Sequence, residues 1–97
     1  MPHRLAFVLR PALWRTVVER VRDRPEGSYT TSLAEAGIAR AAQKLGEEAV
    51  EAAISAVAGD GRLAEEAADL IYHLYVTLAI AGVDIADVED ELARRVR

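Results

Sequence analysis

Three observations predict an all-α fold, a four- to five-helix antiparallel bundle. Hydrophobic residues make up 52% of the 97 positions while aromatic residues make up 5%, and many of the apolar ones are alanine, which favours helix and fills little volume. Apolar positions recur at three- and four-residue spacing, and β-branched residues are not gathered into alternating runs, which is the periodicity of helices with one buried face. Glycine and proline fall where they divide the chain into helix-length segments.

The first helix is expected over residues 12–24, with Pro11 in its first turn, where a missing N–H costs nothing. Leu13, Trp14, Val17, Val18 and Val21 supply its apolar face, and Pro25 ends it. Residues 25–31 read as a loop. Ser32 and Glu35 have the spacing of a capping box for a short helix that Gly37 breaks or bends. A long helix follows over about 38–58, a turn at Gly59-Asp60-Gly61, and another helix over about 62–81 that Gly82 stops. Asp84 caps the last helix, with Asp87, Glu89 and Asp90 near its positive end and Arg94, Arg95 and Arg97 near its negative one. In the helix over about 62–81 the stripe Leu70, Ile71, Leu74, Leu78 reads as core, and Trp14 as core or dimer interface.

No repeat, low-complexity segment or linker divides residues 1–97, so one domain is expected. A domain this small buries a modest share of its surface. Without cysteine it has neither disulfides nor thiolate metal sites, so association with a second copy is the obvious source of added stability. The net charge is −4, from 16 acidic and 12 basic residues. Bases crowd the first forty residues (Arg4, Arg10, Arg15, Arg20, Arg22, Arg24, Arg40), whereas Arg62 is the only one between Gly46 and Asp90. A nucleic-acid binder would carry a continuous basic face; a basic end beside an acidic middle suits a metal ion and a phosphorylated small molecule instead. No run approaches the roughly 20 apolar residues of a membrane span, and no convincing cleavage site follows the first apolar run, so a cytoplasmic protein is expected.

The acidic middle carries the chemistry. Glu47 and Glu48 both neighbour Glu51 on one helix, and Glu66 neighbours Asp69 on the next. The short turn between the two helices makes them antiparallel neighbours, so four or five carboxylates converge. Two unit charges about 4 Å apart repel by about 4 kcal/mol at an effective dielectric near 20; either some of the acids are protonated or a divalent cation sits among them. Carboxylate oxygens alone suit Mg²⁺ or Mn²⁺. A solvated acidic face is the bland alternative, but such faces usually carry bases at four-residue spacing, and here the neighbour four after Glu47 is Glu51. A ferritin-like di-metal bundle is excluded, because Glu-x-x-His is absent.

Four segments stand in register, Pro25-Glu26-Gly27-Ser28-Tyr29-Thr30, Gln43-Lys44-Leu45-Gly46-Glu47-Glu48-Ala49-Val50-Glu51, Ala68-Asp69-Leu70-Ile71-Tyr72-His73-Leu74 and Asp87-Val88 with Glu91-Leu92-Ala93-Arg94-Arg95, within a match that runs over about residues 12–95. In that order they resemble the phosphoribosyl-ATP pyrophosphatase family, within the all-α MazG-like nucleotide pyrophosphohydrolases. Glu48-Ala49-Val50-Glu51 and Glu66-Ala67-Ala68-Asp69 match that group's Glu-x-x-Glu and Glu-x-x-Asp signature. The resemblance implies Mg²⁺ at Glu48, Glu51, Glu66 and Asp69, a homodimer, and hydrolysis of phosphoribosyl-ATP to phosphoribosyl-AMP and pyrophosphate, the second step of histidine biosynthesis. Arg40 stands where the family commonly has lysine, and Tyr75 and Thr77 interrupt a helix that is more uniformly Leu and Val in relatives.

Several roles follow as expectations. Glu47 is a second-metal ligand, a general base alongside Glu48, or a residue that only tunes the cluster's charge. Gly27, Ser28, Tyr29 and Thr30, leading into a helix N-terminus, form an anion site, with Arg24, Arg40 and Lys44 as cationic partners; the alternative for Ser28 and Thr30 is that they merely shape a turn and cap. His73, four after Asp69, is a packed residue or one that hydrogen-bonds and orients that carboxylate. Two rivals share parts of this reading. A house-cleaning MazG-type triphosphate pyrophosphohydrolase would keep the metal site and change the substrate pocket, and a non-enzymatic helical interaction module would use the acids as a partner-facing surface.

Overall fold

The computed structural model describes the backbone of residues 2–96 and the side chains of residues 11–96. Among the described residues five helices run in the order α1 (Pro2–Asp23), α2 (Tyr29–Ala36), α3 (Ile38–Ala58), α4 (Leu63–Ala81) and α5 (Ile85–Arg95). The described residues contain no strand, as the composition predicts. Among the described residues no single helix is long and apolar enough to cross a membrane.

α3 and α4 form the central antiparallel hairpin, α1 lies across α4, and α2 wedges against α1, α3 and α4. Their connection is a built turn. Gly59 adopts the left-handed conformation (φ 61°) that glycine takes without strain and sends its N–H to the Ser55 carbonyl at 3.0 Å. One Asp60 oxygen accepts from the Ser55 hydroxyl at 2.6 Å and from the Arg62 N–H at 2.9 Å, which ties the end of α3 to the start of α4. The Asp60 carboxyl is held below its ordinary value, first by the Ser55 hydroxyl and then by the Arg62 N–H. At its far end α4 closes on Gly82 (φ 77°), with Val83 N–H reaching back to Leu78 at 2.9 Å. Asp84 then caps α5 by accepting from Ala86 N–H at 2.9 Å. Arg94 and Arg95 both reach Glu91 near its end; Arg97 lies outside the described residues, as do the side chains of Arg4 and Arg10.

The core is Val17, Leu33, Tyr75 and Val76, with Leu13, Trp14, Val21, Tyr72, Ala79, Ile80 and Ile85 packed on it. Trp14 meets Tyr75 edge-on at 5.5 Å between ring centres, a favoured aromatic geometry, and lies partly buried against the core.

Three expectations are corrected. α1 begins at Pro2 and carries Pro11 inside it rather than in its first turn; proline removes one donor there without the backbone leaving the helix. α2 begins at Tyr29, capped by Ser28, whose Oγ accepts from Thr31 N–H at 3.4 Å. Ser32 instead donates to the Tyr29 carbonyl at 2.6 Å within the helix. The earlier start wins because Thr31 Oγ1 donates to the Pro25 carbonyl at 2.8 Å and pins the loop across the first turn. Finally, the α4 stripe read as core is in part open: Ile71 is 42% and Leu74 37% exposed. The helix is apolar on more than one face, and Tyr72, Tyr75, Val76, Ala79 and Ile80 take the inner one.

Candidate active site

α3 and α4 carry the acids to one point. Glu48, Glu51 and Glu66 each offer a carboxylate oxygen, and the three lie within 4.8 Å of one another. Glu48 is buried at 8% exposure, where helix packing holds it toward α4. Glu66 accepts from Arg62 Nη2 at 3.2 Å through Oε1, while its Oε2 is enclosed and has no hydrogen-bond partner among the described residues. Such an atom carries an unrelieved desolvation cost. The Glu51 carboxyl is held above its ordinary value, first by the hydrogen bond it shares with Glu48 and then by the charge of Glu48.

Asp69 is exposed, one turn along α4 from Glu66, and its carboxylate is outside the group of three. Glu47 is also outside it: Lys44 Nζ lies 3.3 Å from its Oε1, and Gln43 donates to its Oε2 at 3.3 Å. Lys44 also reaches Glu48 at 3.7 Å. Its ammonium is held above its ordinary value, chiefly by the hydrogen bond to Glu47 and then by the nearby Tyr29, which puts the start of α2 within electrostatic range of the acidic centre.

A cleft of about 450 Å³ opens at the α1–α2 junction, lined among others by Arg24, Gly27, Ser28, Tyr29 and Glu35. Arg24 takes a left-handed backbone (φ 50°), uncommon without glycine, and its Nε donates to the Val21 carbonyl at 3.1 Å. Arg40 is exposed in the first turn of α3. Thr30 differs from expectation. It is 1% exposed and its hydroxyl engages Tyr72, so it ties α2 to α4 rather than facing the cleft. His73 differs too. Its Nδ1–H donates at 2.7 Å to the backbone carbonyl of Asp69, not to its carboxylate, and Nε2 meets the Tyr29 hydroxyl at 3.1 Å. No local pattern announces that pairing, because its partners are 44 residues apart.

The family described as phosphoribosyl-ATP pyrophosphohydrolase matches residues 10–96, which include every residue of this site. The chain belongs to that family. As a phosphoribosyl-ATP pyrophosphohydrolase family member it is 49% identical over 82 residues to the phosphoribosyl-ATP pyrophosphatase of Metallosphaera sedula, covering 84% of this chain and 88% of that protein. It is 54% identical over 84 residues to the protein of the same name from Rhizobium rhizogenes, covering 86% and 81%. The histidine biosynthesis bifunctional protein HisIE of Xylella fastidiosa is 49% identical over 87 residues, which are 89% of this chain and 42% of that protein. For a pyrophosphohydrolase of this family the donor set is chemically apt: hard divalent cations take oxygen ligands, and the site offers three clustered carboxylates with one enclosed oxygen still lacking a partner.

Proposed function

We propose that the chain hydrolyses phosphoribosyl-ATP to phosphoribosyl-AMP and pyrophosphate, the second step of histidine biosynthesis, using a carboxylate-bound Mg²⁺ that Mn²⁺ can replace. The observation that carries the reading is the orphaned Glu66 Oε2 inside a carboxylate triad, in a chain matched along its length by that family. Glu48, Glu51 and Glu66 would hold the cation, with Asp69, one turn away, as a fourth oxygen donor. When bound, the cation supplies charge neutralisation for a phosphoanhydride and makes water a better nucleophile.

The chain's own residues supply the rest. Lys44, held by Glu47 and Glu48, presents positive charge beside the triad. Arg24, Gly27 and Ser28 border the cleft and offer donors to phosphate, as Ser28 can cap α2 through its lone pair and still donate its proton. Arg40 adds charge on α3. Of the roles open to Glu47, the electrostatic one has most support, because Lys44 and Gln43 occupy both its oxygens. The proposal includes a cytoplasmic location and a homodimer, the latter supported by the exposed apolar residues Val50, Ile54 and Val57 of α3.

Pyrophosphate release from phosphoribosyl-ATP tests this reading directly. Release is expected with Mg²⁺, is abolished by a chelator and returns when Mg²⁺ is restored. A protein that leaves phosphoribosyl-ATP intact while cleaving other nucleoside triphosphates belongs with the house-cleaning enzymes instead.

A further inference from the structure

Tyr29 stands apart from the other aromatic residues. It is 49% exposed at the mouth of the α1–α2 cleft, yet its ring is held by two side chains of α4, Tyr72 and His73. Its ring stacks on Tyr72 at 6.2 Å with 25° between the planes, and meets the His73 ring edge-on at 5.7 Å. Tyr72 and His73 are themselves edge-on at 5.1 Å. The polar atoms lock the same three rings. His73 Nδ1–H is committed to the Asp69 carbonyl at 2.7 Å, so a neutral ring presents Nε2 as an acceptor, and the Tyr29 O–H donates to it at 3.1 Å. Tyr72 is anchored in turn by the hydroxyl of buried Thr30. Holding a half-exposed tyrosine this firmly costs side-chain freedom, and it leaves a rigid aromatic surface already ordered at the mouth of the cleft.

Resting on the reaction assigned above, we propose that Tyr29 is the platform on which the substrate's purine stacks, and that His73 and Tyr72 are positioning residues that hold the ring at the correct pitch. The purine is the flat π-system in phosphoribosyl-ATP, and a rigid aromatic face is what such a group recognises. The geometry also sets the direction of the substrate. The phenol end of Tyr29 points to α4 beside His73, and Lys44, which lies near that end, also pairs with Glu48 of the triad. A base stacked at Tyr29 therefore leaves its phosphates to extend toward the carboxylates.

Binding and turnover separate this proposal from the reaction itself. Wild type, Tyr29→Leu and Tyr29→Phe are titrated with AMP and with ribose 5-phosphate, which has the phosphate without the base. Wild type is expected to prefer AMP, and Tyr29→Leu to lose roughly 5- to 150-fold in AMP affinity, the span of one base–aromatic stack, while ribose 5-phosphate binding holds. Tyr29→Phe keeps the ring and loses one hydrogen bond, so roughly 2- to 12-fold is expected. In turnover the loss in Tyr29→Leu should fall on KM more than on kcat. His73→Leu should weaken AMP binding in the wild-type background but add nothing to Tyr29→Phe, whereas a merely structural His73 would give additive losses. Equal AMP affinity in Tyr29→Leu and wild type, or parallel loss of both ligands, overturns the platform. Base-selective binding without hydrolysis would sink the reaction and leave the platform standing; hydrolysis with unchanged Tyr29→Leu kinetics would do the reverse.

Discussion

Glu66 is asked to do two things at once. Its Oε1 holds Arg62 at 3.2 Å, and its Oε2 is enclosed with no partner among the described residues. A neutral amide at this position keeps the size and removes the charge. Glu66→Gln should therefore lower kcat/KM by more than about 100-fold, because losing even a group that only orients a metal ligand costs roughly 10- to 100-fold. Helicity by circular dichroism should be retained. Glu47→Gln should cost far less, since Glu47 is 46% exposed at its side chain and engages Lys44 and Gln43 outside the triad; a loss as deep as that of Glu66→Gln would make Glu47 the general base after all. At this scale the sequence was readable where chemistry is local. Glu48 and Glu51 are three apart on one helix, so their convergence followed from helical spacing. The Tyr29–His73 and Thr30–Tyr72 bonds join residues 44 and 42 apart, and nothing in either segment alone marks them.

Elements show the same division. α3, α4 and α5 were legible because Gly59, Gly82 and Asp84 punctuate the chain by rules that hold within a few residues. The starts of α1 and α2 were not. Pro11 reads locally as a beginning, and Ser32 with Glu35 reads locally as a cap, but the Thr31–Pro25 bond decides the second case from outside the window. The α3–α4 turn carries a prediction of its own. The Asp60 carboxyl is depressed from its ordinary 3.8, first by the Ser55 hydroxyl, so its stabilising effect is complete above that value and disappears as the pH falls through the lower folded-state value. The melting temperature of Asp60→Asn should lie below that of wild type near neutrality, and the gap should close in increasingly acidic buffer, with Arg62 as the charged group facing Asp60. A gap that widens in acid would contradict this.

For the molecule as a whole, the open question in the packing is the outer face of the hairpin. Val50, Ile54 and Val57 are 58%, 60% and 91% exposed at helical spacing on α3, and Ile71 and Leu74 on α4 are also exposed. Exposed apolar residues at such spacing point to an interaction site, and the proposed homodimer would cover them. Wild type should then sediment as a dimer whose melting temperature rises with protein concentration. Ile54→Glu should sediment as a monomer with a concentration-independent transition. A wild-type protein that is monomeric at every concentration would remove the dimer from the proposal.

α5 is the exception to this tight assembly. None of its residues is buried, and Ile85 at its start is the residue it packs on the core. Backbone opening should therefore travel inward from the C-terminal end, with the amides of α5 taking up deuterium well before those of α3. Because the carboxylates and the aromatic platform sit on α2, α3 and α4, that loosening spares them: the catalytic half can stay rigid while the tail of the molecule breathes.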